Sequence, residues 1–522
     1  MNERPILHPT SMAALSDLPE ELQLLIIEFL DVPSPSSRKL RQEPSMELTS
    51  DEGCTLKNVS TISKRWRRLV LPTLFQCTRL RLDAPADPRW AACHICNDNA
   101  ISKSSSQYAE ETTLDGCDQY HVDMVAAALR QRNANLQAGQ DEDEAQQMGE
   151  MAFAAKERIR PSIALAWIPR FYHAMKDFLG YLSNHDLTAV VDSFVLYTGQ
   201  MLEEKLHRFP HEAADKDWRF PASAAFWTHL LSIIDPTTVT ILAPPTDLAC
   251  LTNCAIDTFG DWAFSEMDLH VLSLSHPKST RRTPQSPTPY PSLRPIPATY
   301  PSIAPSSILA LRPWTDLSLN EGPFLKAYGT YEFFERGPPS LVYSIKDSLI
   351  RNRPLPEEAS GPTDQSQIAR PLTSLTTLSY TAIFPFANHA DFSPILHQIT
   401  SLSLQLAPTP QSNILNDRAR VGKADLADCW TELLTTYAEL VEPLASTRRP
   451  SSAFAGLDPA VTGEPFVWGT SRDGVRVRRL EALDFGIKMM REELDELFVP
   501  LCLPVWVEAE AGVFTRLEEK SK

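Results

Sequence analysis

The sequence predicts an α/β fold that is mostly helical, with a small helical module ahead of a long region of short strands and helices. Two patterns carry this prediction. Apolar residues recur at helical spacing between Leu15 and Leu82. Downstream, a short pattern returns several times: an apolar residue, two spacers, an apolar residue, one spacer and an apolar residue. Alternation at its last positions is what a strand needs to direct leucines to one face.

The composition limits the possible classes of function. The chain has 522 residues, a formal net charge of −17, 43% hydrophobic residues, 43 Pro and 18 Gly. An apolar content near the norm excludes a wholly disordered chain, and no uninterrupted apolar run is long enough for a membrane span. The negative charge argues against nucleic acid or an anionic membrane as partner. The sequence has no phosphate-binding glycine motif, zinc-protease motif or serine-hydrolase motif, so we predict no catalytic residue and no cofactor.

The cysteines and the N-terminus bear on the compartment. Nine Cys are spread along the chain, an odd number that indicates reduced thiols rather than a disulfide framework. No signal-type apolar stretch follows the N-terminus. We therefore expect the protein in the cytoplasm, the nucleus or both.

The first predicted helix begins near Pro19. Ser16 and Asp17 can cap it, and Glu20 and Glu21 complement the positive end of its dipole. Its apolar residues are Leu22, Leu24, Leu25, Ile26, Ile27, Phe29 and Leu30. These are too many for one stripe, so the helix is expected to bury two faces, one of them against an external partner.

A second helix is predicted from Leu56 to about Leu71, ending at Pro72. Its apolar residues are Leu56, Val59, Ile62, Trp66, Leu69 and Val70. The basic pairs Lys64-Arg65 and Arg67-Arg68 are then expected in a last turn, where they complement the helix dipole. A nuclear-import or phosphate-binding patch is the alternative.

The run Leu18-Pro19-Glu20-Glu21-Leu22 and the later run Ser63-Lys64-Arg65-Trp66-Arg67 together resemble an F-box of the kind common in fungal F-box proteins. The resemblance covers 18–75 and implies a docking surface for a Skp-type adaptor, which links F-box proteins to a cullin in a ubiquitin ligase. Carried over by position, the adaptor contacts are Leu18, Pro19, Glu20, Leu22, Ile26, Leu30, Val59, Ser60, Ser63 and Trp66, with Trp66 shared with the internal core. The insertion 32–55 is longer than the usual F-box connection and is expected to disturb one edge of the partner surface.

The downstream pattern begins at Cys77, Leu269, Trp314, Leu375, Ile399 and Leu480, with a partial copy at Val239 and Ile241. Helices are expected at Leu341–Ile350, Phe392–Ile399 and Leu426–Leu444. Strand plus helix, repeated, resembles the degenerate leucine-rich repeats behind fungal F-boxes and implies an irregular α/β solenoid. The spacing is irregular, and the Asn usual after the last strand leucine occurs only at Asn320. Scattered strands of an ordinary α/β domain are therefore the alternative.

Two apolar stripes precede the partial copy. Trp167, Phe171, Met175, Phe178 and Leu182 are spaced as one helix face, and a second helix is expected through Leu187, Val190, Val191, Phe194 and Val195. Both stripes are predicted to pack into the core.

The expected domains are an adaptor-docking module at 1–82, a helical linker region at 83–159 and a repeat-like substrate-binding domain at 160–522. The acidic stretch 133–148 and the proline-rich loop 277–305 are expected to be unfolded. Thr283, Ser286 and Thr288 each precede a proline, so proline-directed phosphorylation is one hypothesis for this loop. A passive insertion is the other.

Four potential metal ligands lie in the linker region. Cys93, Cys96, Cys117 and His121 are spaced in the order of a zinc finger. Reduced thiols on a loop are the simpler interpretation, and we assign no metal site.

These observations predict a non-catalytic substrate-recognition subunit of a Skp–cullin–F-box ubiquitin ligase, with an unidentified protein substrate. Two alternatives stay open. In the first, the F-box-like segment is only a folding cap on a repeat-type interaction scaffold. In the second, the chain is an enzyme with a cryptic site.

Overall fold

A computed structural model describes 18–50, 55–82, 175–199, 216–254, 256, 261–277, 303, 307–351, 371–409, 412–445, 475–488, 490–502 and 505–517. Several predictions fall outside these residues. They are the zinc ligands Cys93, Cys96, Cys117 and His121, the whole interval 83–159, and the phosphorylation sites Thr283, Ser286 and Thr288.

The described residues form one ten-stranded mixed sheet with the order β1-β2-β3-β4-β5-β6-β7-β8-β10-β9. Its strands are β1 Cys77–Arg81, β2 Ser193–Tyr197, β3 Thr238–Ala243, β4 His270–Ser275, β5 Asp316–Pro323, β6 Thr377–Ile383, β7 Ser401–Gln405, β8 Arg479–Ala482, β9 Trp506–Glu510 and β10 Val513–Arg516. Strand β4 is antiparallel to both β3 and β5, and β10 is antiparallel to β8 and β9. The remaining neighbours pair in parallel.

The predicted leucine-rich-repeat-like solenoid is therefore wrong. A solenoid stacks equivalent units, at a period of about 20–29 residues for leucine-rich repeats, so that its strands all run the same way. Here the reversal of β4 and the final β9–β10 hairpin interrupt any such stack. The irregular spacing of the apolar pattern had left scattered strands of an ordinary α/β domain as the alternative. The mixed sheet agrees with that alternative.

The helices of the described residues are, in chain order, α1 Glu20–Leu30, α2 Pro35–Arg38, α3 Thr55–Ile62, α4 Lys64–Leu74, α5 Lys216–Ile233, α6 Pro245–Thr252, α7 Ile308–Leu311, α8 Val342–Arg351, α9 Ala387–Ala390, α10 Arg418–Val421, α11 Leu426–Ala445 and α12 Arg491–Cys502. Residues 175–184 are also helical. No helix in the described ranges combines the length and apolar character needed to cross a membrane.

The apolar pattern located strands correctly even though it misjudged the architecture. Each of its six copies overlaps one of β1, β4, β5, β6, β7 and β8, and the partial copy lies in β3. Strand β2 was predicted as a helix instead. Its central residues Phe194, Val195 and Leu196 are all buried, and a short continuous apolar run has no period that separates a strand from a helix.

The two faces of the sheet differ in chemistry. Leucines such as Leu272, Leu319 and Leu402 point into the main core, which also buries Trp227 and Trp314. The residues that alternate with them form a row of hydroxyl side chains across five adjacent strands, each in register with the next. This row is Thr240, Ser273, Ser318, Ser379 and Ser403.

Residues 32–50, called the strap below, lie on the hydroxyl-bearing side of the sheet. Leu48 packs against Leu242 of β3 and Val271 of β4. The Arg41 guanidinium reaches Ser403 Oγ of β7 at 3.4 Å and the Glu481 carboxylate of β8 at 3.7 Å. The described part of the insertion predicted at 32–55, residues 32–50, thus packs on the sheet.

Candidate protein-docking surface

Helix α1 begins at Glu20, next to the predicted start near Pro19, and no side-chain hydrogen bond caps it; the predicted caps Ser16 and Asp17 lie outside the described residues. The carbonyl oxygen of Pro19 accepts hydrogen bonds from the backbone N–H groups of Leu22 and Gln23, both at 3.1 Å. The buried Gln23 side chain donates from Nε2 to the carbonyl oxygen of Leu18 at 2.8 Å. Glu20 and Glu21 occupy the first turn, where their charge complements the helix dipole.

One face of α1 packs into a small core of its own. Ile27 is buried there, and Leu30 packs against its edge. The other buried members come from α3 and α4, and they are Leu56, Trp66, Leu69 and Val70. Trp66 is only 3% exposed, so its indole ring holds this module together and is covered by the module itself.

The single second helix of the prediction is two helices, α3 and α4, separated at Ser63. Ser63 Oγ accepts a hydrogen bond from the backbone N–H of Trp66 at 3.2 Å and so caps α4. Lys64 and Arg65 therefore lie in the first turn of a helix, and their predicted place in a last turn is wrong. Positive side chains do not offset the positive end of a helix dipole, so a negatively charged partner is favoured there.

The opposite face of α1 carries large apolar side chains in solvent. Leu22, Leu25 and Phe29 follow one another at helical spacing and are 47%, 62% and 89% exposed. Leu24 at 45% and Val32 at 57% widen the patch. A run of exposed aliphatic and aromatic side chains on one helix marks an interaction site more often than chance exposure does.

The structure distributes the ten predicted adaptor contacts over three environments. Pro19, Glu20, Leu22 and Ser63 are exposed. Leu18, Ile26, Leu30, Val59 and Ser60 are half-buried, and Trp66 is buried. Sequence reasoning assigned Leu25 and Phe29 to the helix but omitted them from the contacts, although the excess of apolar residues around α1 had pointed to a second face.

Charge near the patch is unevenly distributed. Lys57, Lys64, Arg65, Arg67 and Arg68 are exposed on α3 and α4. The Arg68 guanidinium lies 3.9 Å from the Glu20 carboxylate, and Arg67 Nε donates to the carbonyl oxygen of Ser60 at 3.3 Å. At the end of α1, partial burial raises the pKa of Asp31. The module thus combines an apolar stripe on α1, whose own charged residues are Glu20, Glu21 and Glu28, with basic residues on α3 and α4, in a chain whose net charge is −17.

A second group of titratable side chains surrounds Glu321, directly after the leucines of β5. Tyr380 OH donates to Glu321 Oε2 at 2.8 Å, His389 Nε2 lies 2.9 Å from the same oxygen, and the Ser340 hydroxyl donates to Oε1. All four side chains are buried, and burial lowers the pKa of His389. The Glu321 carboxylate is therefore a satisfied core acceptor.

In the part of the chain that the structure describes, no cluster of three or more His, Cys, Asp or Glu side chains could hold a metal ion. Comparison with known proteins adds no relative: no family model, no curated protein and no solved structure matches this chain.

Proposed function

We propose that the chain is a non-catalytic substrate-recognition subunit that docks through α1 onto a Skp-type adaptor and, through it, onto a cullin of a ubiquitin ligase in the cytoplasm or nucleus. The observation that carries the proposal is the exposed stripe of Leu22, Leu25 and Phe29 on a helix whose other face is packed. Apolar side chains presented on one helix face suit a partner with a hydrophobic groove. The basic residues of α4 favour a groove with carboxylates at its border.

The chemistry of such a complex belongs to other subunits. This chain supplies proximity, because a substrate held on the sheet domain is presented to the ubiquitin-loaded enzyme at a high effective concentration. The strap and β1 both connect the docking module to the sheet, so the two parts are joined by more than a single linker.

The experiment is co-purification of a Skp-type adaptor with the full chain. The double variant Leu25→Ser/Phe29→Ser should lose at least about tenfold in adaptor affinity, since exposed aromatic and aliphatic anchors dominate helix-mediated interfaces. Tyr331→Ser is the matched control, because Tyr331 is 84% exposed elsewhere on the molecule. Adaptor retention by the double variant would contradict the proposal.

The packing of the strap on the sheet favours a second candidate, in which the N-terminal module is a folding cap on an interaction scaffold. The two candidates differ in what the α1 face does. If the wild-type chain fails to bind any Skp-type adaptor while remaining folded, the cap is the better description.

A further inference from the structure

The two longest helices of the C-terminal half form a groove far along the chain from the docking module. Helices α11 and α12 lie side by side, with Leu433, Tyr437, Leu494 and Phe498 turned into the core. Between them is an open groove of about 490 Å³. Its walls are Leu434, Thr435 and Ala438 from α11, and Glu493, Glu496 and Leu497 from α12.

The charge of these helices is strongly one-sided. Helix α11 carries Asp428, Glu432, Glu439 and Glu442 and has no Lys, Arg or His. Helix α12 carries Glu492, Glu493, Asp495 and Glu496 and a single basic residue. That residue, Arg491, is already engaged, because its guanidinium lies 3.4 Å from Asp495 and 4.0 Å from Glu508.

The carboxylates crowd one another. Partial burial, with Asp391 and Glu432 as negatively charged neighbours, raises the pKa of Glu439. Glu432 accepts a hydrogen bond from the backbone N–H of Ala387 at 2.7 Å, so part of its charge is used within the fold. These carboxylates lie outside the groove lining, whose own acidic residues, Glu493 and Glu496, are both exposed.

We propose that the α11–α12 groove binds a basic amphipathic helical segment of a protein partner, with leucine-type side chains on the Leu434–Leu497 floor and Lys or Arg against Glu493 and Glu496. An apolar floor with acidic rims is the complement of such a segment. The lining residues span Leu434–Ala438 and Glu493–Leu497, about one turn or 6 Å of each helix at 1.5 Å per residue, which is enough to seat one apolar anchor and its flanking basic residues. That this partner is the ligase substrate rests on the proposed function; the binding itself does not.

The chain's own basic helix is a poor occupant. Helix α4 carries Lys64, Arg65, Arg67 and Arg68, but its apolar residues Trp66, Leu69 and Val70 are buried in the N-terminal module. A second copy could offer the groove apolar side chains from the exposed face of α1, but the charged residues of that helix are Glu20, Glu21 and Glu28, which do not complement an acidic rim.

The test measures binding of a fluorescent peptide of about 12 residues, with leucines at i, i+3, i+4 and i+7 and lysines elsewhere, to the full chain by anisotropy. We expect saturable binding that weakens as salt rises from about 0.05 to 0.3 M, because the rim contacts are partly exposed charges. Two further peptides are controls, one with Glu for Lys and one with Ser for Leu, and neither should bind. Binding of the Ser peptide at the affinity of the Leu peptide would overturn the proposal.

Paired variants locate the site. Glu493→Gln/Glu496→Gln should weaken the peptide about tenfold, whereas Glu442→Gln/Glu492→Gln removes two carboxylates from the same helices outside the groove lining and should change affinity less than about threefold. If both pairs weakened peptide binding equally, the peptide would be attracted by the overall negative charge of the two helices, and the groove assignment would be overturned. Self-association in sedimentation that the first pair abolishes would also overturn it, because a second copy would then fill the groove. Adaptor capture is unaffected by these variants, so a failure here is distinct from a failure of the α1 proposal.

Discussion

The side-chain amide of Asn320 in β5 donates a hydrogen bond at 2.8 Å to the carbonyl oxygen of Leu40 in the strap. The same Nδ2 group donates to the carbonyl oxygen of Gln42 at 2.7 Å, and Oδ1 accepts from the backbone N–H of Gly322 at 3.2 Å. This one buried side chain thus forms hydrogen bonds both with the strap and with its own strand. Asn320 matched the asparagine of leucine-rich repeats, and the structure uses it to hold a segment 280 residues away in sequence.

Replacing Asn320 by Ala should release the strap. Two carbonyl oxygens lose their donors, which costs about 1–3 kcal/mol of unfolding free energy. Hydrogen exchange over 40–49 should rise more than elsewhere in the sheet domain. Asn416→Ala is the control, because Asn416 is exposed. Unchanged exchange in the strap of the Asn320 variant would show that the amide does not hold it.

Substitutions at Trp66 and Phe29 should distinguish the residue that stabilises the N-terminal module from the residue that serves docking. Trp66→Ala removes a 3%-exposed ring from the small core of the N-terminal module and should cost about 3–5 kcal/mol in that module. Phe29→Ala, at 89% exposure, should change stability by less than about 0.5 kcal/mol. Limited proteolysis of the wild type and of both variants, with cleavage sites in 18–75 identified by mass spectrometry, provides the comparison. A stable Trp66→Ala module would contradict the assignment of this ring to the core.

Asp484 should make stability depend on pH. Burial raises its pKa to about 6, although Tyr437 OH and the backbone N–H groups of Leu406 and Ala407 donate to it. A carboxyl group with a raised folded-state pKa contributes stability that is fully present below its unfolded pKa of 3.8 and is lost as pH rises through about 6.

The unfolding free energy of the wild type relative to Asp484→Asn should therefore increase on going from pH 8 to pH 5, by on the order of 1 kcal/mol. Denaturant titrations of both proteins at each pH measure the difference, and Glu335→Gln serves as an exposed control. A difference that is flat with pH, or that falls on acidification, would show that Asp484 is not destabilised by burial.

Gly512, in the turn between β9 and β10, should not tolerate a side chain. Its φ is +76°, and an added Cβ would meet the carbonyl oxygen of Ala482 and the ring of Phe485 at distances below normal contact. Gly512→Ala should lose at least about 2 kcal/mol of stability. Gly486→Ala, which meets nothing within 4 Å, is the matched control and should be nearly neutral. Similar melting temperatures for the two variants would contradict the strain at Gly512.

Local features were predictable to the extent that they depend on neighbours in sequence. The start of α1 next to Pro19, the extent of α11 and the positions of seven strands follow from the proline and acidic residues at the helix start and from apolar spacing. The break at Ser63 was missed because apolar spacing continues across it, while the cap that divides α3 from α4 is a single side-chain hydrogen bond. The exposure of Phe29 was missed because an apolar residue has the same pattern whether its face is packed or free.

Strand direction could not be read from the sequence. The residues of β4 follow the same apolar pattern as those of β5, although β4 runs antiparallel to both of its neighbours. The strap was also beyond prediction, since its bonds to Asn320 and Ser403 join residues that no local pattern relates.

The strap sets the order in which the protein can be completed during synthesis. Arg41 and its hydroxyl acceptor Ser403 are 362 residues apart, so at roughly 5–20 residues per second the ribosome supplies the acceptor strand roughly 20–70 seconds after the strap has emerged. Within that interval, Leu48 has no surface to pack against until β3 and β4 have been synthesised. The contacts that hold the strap on the sheet are thus completed only after most of the chain has been synthesised.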